Sequence, residues 1–160
     1  MSGFPLTQQT IDDLVHDFLQ LLLAQSNWTH EAHLIVATWY NWYYDFDHAL
    51  AEIREDIKLY NEIVGTYNTD TRGYHETLTV CWMTRTKRHL LQQASPDLVS
   101  ACNSFLSHPD ANSDGLLQYY SSKRLFSVAA WRQWLDGDVM PVPLLTAAEK
   151  PAYEKLLAAT

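Results

Sequence analysis

Positive charge is scarce in this chain. Its 11 Lys and Arg stand against 19 Asp and Glu, a formal net charge of -8 over 160 residues. A field of that sign repels polyanions, so neither nucleic acid nor an anionic membrane is expected as a partner. Cysteine is nearly absent as well. Cys81 and Cys102 are the only two, with no CxxC spacing, and they read as buried free thiols of a reducing compartment. Long apolar runs are missing. The most apolar early stretch, residues 18–24, is too short to span a bilayer, and no basic segment leads into an apolar one at the N-terminus. A cytoplasmic protein is expected. Also absent are an alternating strand pattern, an internal repeat, a low-complexity tract, and any GxGxxG, Walker, GxSxG or RNA-binding motif.

What is present reads as helix. At 47% hydrophobic and 19% charged residues the chain can bury a real core in one domain. Apolar residues at Ile11, Leu14, Val15, Phe18, Leu19 and Leu22 recur at helical spacing, which predicts a first helix from Thr10 to about residue 25. Ser26-Asn27-Trp28-Thr29 caps a second, through about residue 44. Asp47 caps a third, stopped at Gly65. A loop over 66–73 leads into a fourth helix, 74–93. Ser95-Pro96-Asp97 opens a fifth, with proline at its first position. Shorter helices follow near 116–120 and 127–135, then an extended connector over 136–143. Thr146-Ala147-Ala148-Glu149 is a capping box opening a last helix, 147–158. The expectation is an all-α helical bundle of four main helices plus smaller C-terminal helices. Residues 1–143 make the bundle, and 144–160 make a C-terminal appendage of the same domain.

Two polar islands carry the chemistry. One is Trp28-Thr29-His30-Glu31-Ala32-His33-Leu34 and the other is Gly73-Tyr74-His75-Glu76-Thr77-Leu78-Thr79. Helical positions three apart share a face, so His30 and His33 point the same way and can ligate one ion. If the second and fourth helices pack with their N-termini at one end, His75 joins them. Three imidazoles with an open position would suit a divalent transition metal: Zn, Fe, Ni, Mn or Cu. Glu76 then stands as a fourth ligand, an orienting group or a general base for metal-bound water. The zincin pattern does not apply, because the residue four after His75 is Thr79. The histidine face continues through Ala37, Tyr40 and Tyr44, so Tyr40, Tyr44 and Thr79 are expected to line a substrate pocket, with Tyr74 and Arg124 contributing to catalysis. Arg124 can hold a carboxylate or phosphate, or sit in a structural ion pair.

Blander readings stand beside these. Histidines at helix starts can serve as caps bonded to loops, or as a metal-free acid–base site. Trp39, Trp42 and Phe46 belong to a helix buried on most sides and read as core. His16, His48, His89 and His108 have local roles near helix ends. The basic cluster Arg85-Thr86-Lys87-Arg88-His89 reads as a solvated face offsetting the end of a helix dipole. Asp110-Ala111-Asn112-Ser113-Asp114-Gly115 begins like an EF-hand loop, but its twelfth position is Ser121 and not glutamate, so a turn is expected.

The two islands, followed by Tyr119-Tyr120-Ser121 and Arg124-Leu125-Phe126-Ser127, resemble a family of small bacterial helical proteins of uncharacterised activity. Their motifs are WTHxAHL and GYHETLT, and the likeness covers about 28–140. It implies that the islands belong together and supplies no activity. The family motif has a second glycine where Arg72 stands here. A looser likeness, to DinB-like bundles that hold a metal with three histidines, is one of fold only, since histidine spacing and order differ. The function expected is a metal-dependent enzyme acting on a small-molecule substrate. The alternatives are a metal-free acid–base enzyme with an aromatic pocket, and a helical module that binds a ligand or partner without turnover.

Overall fold

The computed structural model describes residues 5–160, so the very start of the N-terminal stretch read above for a basic segment lies outside the described residues. The fold is an all-α helical bundle, and among the described residues there is no strand. Its long helices are α1 (Gln8–Leu19), α2 (His30–Tyr43), α3 (Phe46–Ile63) and α4 (Glu76–Gln93). Shorter ones follow: α5 (Leu98–Leu106), α6 (Ser122–Leu125), α7 (Val128–Arg132) and α8 (Tyr153–Ala158). Helices α2 and α4 form the central pair, with α1, α3, α5 and α8 packed around α2. No helix of the described residues is long and apolar enough to cross a membrane. Cys81 and Cys102 are free and buried.

The helix ends follow local chemistry. Thr7, not Thr10, caps α1. Thr10 is the third helical residue and closes a reciprocal capping box with Thr7. Helix α1 stops at Leu19, well short of residue 25, because Leu21 turns the chain with φ 61°. That turn buries Leu23 and sets Trp28 flat on Phe18, ring centroids 4.6 Å apart. The apolar periodicity of residues 18–24 concealed the turn. Helix α3 begins at Phe46, one residue before the expected cap. The Asp45 carboxylate accepts from the Ala152 amide at 2.8 Å and from Lys155 at 3.0 Å, so it ties the start of α3 to the C-terminal segment. Pro96 precedes the α5 cap, Asp97, and does not open the helix. The EF-hand-like stretch is a pair of 3-10 turns, Pro109–Ala111 and Ser113–Gln118.

The last helix is broken where one continuous run was expected. The Thr146 capping box forms but opens only a 3-10 turn, Ala147–Glu149. Pro151 has no N–H to continue it, and α8 starts at Tyr153. This segment is part of the core rather than an appendage on it. Tyr153 is buried against Trp42, rings 4.8 Å apart. The fully buried Lys87 ammonium donates to the Pro151 carbonyl. Tyr153 O–H donates to the Ser95 carbonyl at 3.2 Å.

Candidate functional site

The N-terminal halves of α2 and α4 open a pocket against α3. Its volume is about 430 Å³. His30, His33, Leu34 and Ala37 line it from α2; Leu78, Thr79, Trp82 and Met83 from α4; Ile53, Ile57 and Asn61 from α3. Trp28, Thr66, Gly73, Tyr74 and His75 complete the rim from the connecting segments. The two islands therefore meet at one cavity. A concave, mostly apolar space of this size with a few polar groups is what small ligands occupy.

Local structure explains how each island is held. Thr29 caps α2, its hydroxyl accepting from the Ala32 amide at 3.2 Å. Gly73 has φ +83°, and a Cβ there would lie 2.8 Å from both the Tyr67 carbonyl oxygen and Asn68 Oδ1. Only glycine allows that approach. The same Asn68 Oδ1 accepts from the Tyr74 amide at 2.9 Å and from Asn61 at 3.1 Å, which fixes the loop ahead of α4.

The three histidines differ in chemistry. His75 is the N-cap of α4. Its Nδ1 accepts from the Leu78 amide at 3.1 Å, and its Nε2–H donates to the Leu125 carbonyl at 2.8 Å. Both nitrogens are occupied, which defines a neutral tautomer, and burial holds the pKa below the ordinary value. Here the cap reading describes the residue. His33 Nδ1–H donates to the Thr29 carbonyl at 2.6 Å, because a carbonyl only accepts. Its Nε2 therefore carries the lone pair. The ring lies tilted by 31° against Trp28, centroids 3.7 Å apart, and loss of water around it drives the pKa down to about 4. His30 Nε2–H donates to the Ala111 carbonyl at 2.7 Å, because a carbonyl only accepts, so Nδ1 is the ring nitrogen that this bond leaves open. Its ring meets Trp82 edge-on at 4.9 Å.

Among the described residues, no three His, Cys, Asp or Glu side chains are placed to share an ion. Glu76 is not among the residues that line the pocket. It takes two hydrogen bonds of 2.8 Å from Arg54 and one of 2.5 Å from the Tyr74 hydroxyl. Burial pushes its pKa up, but these donors more than offset that and hold the carboxylate below its usual range. Tyr74 lends the pocket its ring while its hydroxyl is given to Glu76. Thr79 lines the pocket and donates its hydroxyl to the His75 carbonyl at 2.8 Å.

Tyr40, Tyr44 and Arg124 are not brought to this cavity. Tyr40 stands ten residues past His30, about 15 Å along the helix, where it is buried and donates to Asp56. Tyr44 stacks on His48 at 4.9 Å. Arg124 Nε donates to the Asp136 carbonyl at 2.8 Å. The histidine face of α2 ends, for the pocket, at Ala37. Trp28 and Trp82 are the contributors that sequence reasoning missed. Trp82 lies one turn past Thr79 and Leu78, so extending the His75–Thr79 face by a turn finds it. Ile53 and Ile57 add an aliphatic wall from α3. No protein-family model, curated protein or solved structure matches the chain.

Proposed function

We propose that this protein binds a small, apolar, ring-sized molecule that carries a hydrogen-bond donor, and that His33 receives the donor. The observation that carries this reading is the fixed tautomer of His33. Its Nδ1–H is given to Thr29, so Nε2 is a bare acceptor in an aromatic and aliphatic pocket. With a pKa of about 4 the ring stays neutral near pH 7, which favours recognition over general-base work, for which a pKa near the working pH is best. Trp28 and Trp82 supply flat apolar walls. The two buried free thiols agree with a cytoplasmic setting.

The test compares phenol with toluene, probes of near-equal size of which only phenol donates. Binding is read from the indole N–H signals of Trp28 and Trp82 in two-dimensional NMR. Phenol is expected to bind saturably and about fivefold tighter than toluene, the worth of one hydrogen bond. His33→Phe keeps a ring against Trp28 and should erase the difference. Equal affinities in the wild type, or no saturable binding of either probe, would overturn the reading.

A second reading keeps a metal-dependent enzyme, and it rests on the two lone pairs of His30 Nδ1 and His33 Nε2, three residues apart on α2. That pair would hold Zn, Fe, Ni, Mn or Cu, with the remaining positions open to water and a small-molecule substrate. Elemental analysis of protein purified without chelator decides it. Near-stoichiometric metal that is lost in a His30→Ala/His33→Ala variant supports this reading; no uptake of any of the five ions removes it.

A further inference from the structure

A second cavity, of about 190 Å³, lies on the other side of α4, against the 3-10 turns and the connector near Pro143. Arg85, Arg88 and His89 of α4 face it. These belong to the basic cluster expected as a solvated face, and the structure corrects that expectation. His89 is 3% exposed, and the Arg85 side chain is 13% exposed. Continuing the charged stretch as a surface ignored that α4 is a central helix with elements packed on several sides.

Among the described residues, two nitrogens on side chains that line this cavity are buried without a hydrogen-bond partner: Arg85 Nε and His89 Nδ1. They stand four residues apart on α4, one helical turn, so they project to the same side. A buried polar group left unmatched is rare and costly, and asks for an explanation. Arg85 Nε–H can only donate, so its missing partner must be an acceptor. His89 Nε2 lies 2.9 Å from the Ser104 hydroxyl. When that hydroxyl donates to Nε2, Nδ1–H becomes a second donor aimed at the same space. The Arg85 guanidinium is flanked by the rings of Trp82 and Tyr119, at 5.8 and 5.9 Å. Arg88 adds a second cation, whose Nη2 is held by the Leu144 carbonyl at 3.0 Å.

Charge selects among acceptors. Asp110 also lines the cavity and takes one Arg85 Nη2 at 3.2 Å. Glu149 also stands 4.0 Å from Arg88 Nη2, so two cations meet two carboxylates, and a cavity with no surplus of positive charge accepts a monoanion more readily than a dianion. We propose that this cavity binds the carboxylate of a small organic acid, held by Arg85 Nε–H and His89 Nδ1–H, with Arg88, shared with Glu149, beside it. It is a separate site from the histidine pocket and does not depend on what that pocket binds.

The experiment follows the Arg85 Nε–H resonance in a proton–nitrogen correlation spectrum, assigned by its loss in Arg85→Gln. Sodium acetate is titrated, with sodium chloride and sodium phosphate as parallel arms. A saturable shift with millimolar acetate is expected, with no saturation by chloride and weaker binding of phosphate. Arg88→Gln should weaken acetate binding about tenfold, and His89→Phe, which keeps a ring but removes the donor, should weaken it too. Urea unfolding confirms that each variant is folded, and Arg88→Lys stands in should Arg88→Gln fail to fold. A shift that only drifts, as chloride does, overturns the proposal. So does unchanged acetate affinity in both variants, or tighter binding of phosphate than of acetate.

Discussion

Acidification should destabilise this protein through His33, and the size of the effect follows from the pocket. A free histidine titrates near 6.5, whereas His33, stripped of water beside Trp28, titrates near 4. Above about pH 7 the ring is neutral in both folded and unfolded chains, and the difference contributes nothing. Below 6.5 the unfolded ring takes a proton that the folded ring refuses until about pH 4. The unfolded state then binds more protons, so stability falls as pH falls through this window and levels off below it. With 6.5 and about 4 as the two values, the loss between pH 7.5 and pH 4.5 is about 2.5 kcal/mol. His75 and His89 are also shifted down by burial and act with the same sign, so the wild-type curve alone overstates His33. The assay is urea unfolding from pH 7.5 to 4.5 for wild type and His33→Gln, whose side chain does not titrate. The slope against pH should be shallower in the variant, and the curves should differ by about 2.5 kcal/mol in their pH dependence. A direct titration of the His33 ring carbons by NMR gives the folded midpoint. A midpoint at or above 6, or identical pH slopes in the two proteins, would refute the account of His33 as a desolvated neutral acceptor.

Glu76→Gln removes the charge that holds Arg54 and Tyr74 together. Because that pair is only partly shielded from water, we expect a loss of about 2 kcal/mol in urea unfolding, with the phenol affinity of the pocket little changed. Tyr153→Ala empties a buried site against Trp42 and should cost about 3 kcal/mol in thermal or urea unfolding; a change under 0.5 kcal/mol would restore the appendage reading of the C-terminal segment. Gly73→Ala forces a Cβ to within 2.8 Å of Tyr67 and Asn68 at φ +83°. It should cost more than about 1 kcal/mol and weaken phenol binding by distorting the rim. Full stability with unchanged binding would show that the rim relaxes freely.

The helical class, the order of the long helices and the pairing of the two islands were legible in the chain. Helical spacing set His30 and His33 on one face, and His75, Leu78, Thr79 and Trp82 continue one face of α4 in the same way. What misled was also local. An unbroken apolar run hid the turn at Leu21. A good capping box at Thr146 hid the break at Pro151. A run of Arg and Lys suggested water where α4 in fact carries packed neighbours. Of the face from His30 to Tyr44 only part reaches the pocket, because the wall ends at Ala37 and Tyr40 lies a turn further along with Asp56.

The sequence by itself determined that this chain is helical and that His30, His33, His75 and Glu76 stand at two helix starts, since periodicity and capping act over a few neighbouring residues. Tertiary structure alone decided what those side chains are. Leu125 and Ala111 lie far along the chain from His75 and His30, and their carbonyls consume ring nitrogens that local spacing leaves free. Arg54 likewise claims Glu76 from another helix. A hydrogen-bonding group has few sites to offer, and which partner takes them depends on groups brought close only when the helices pack.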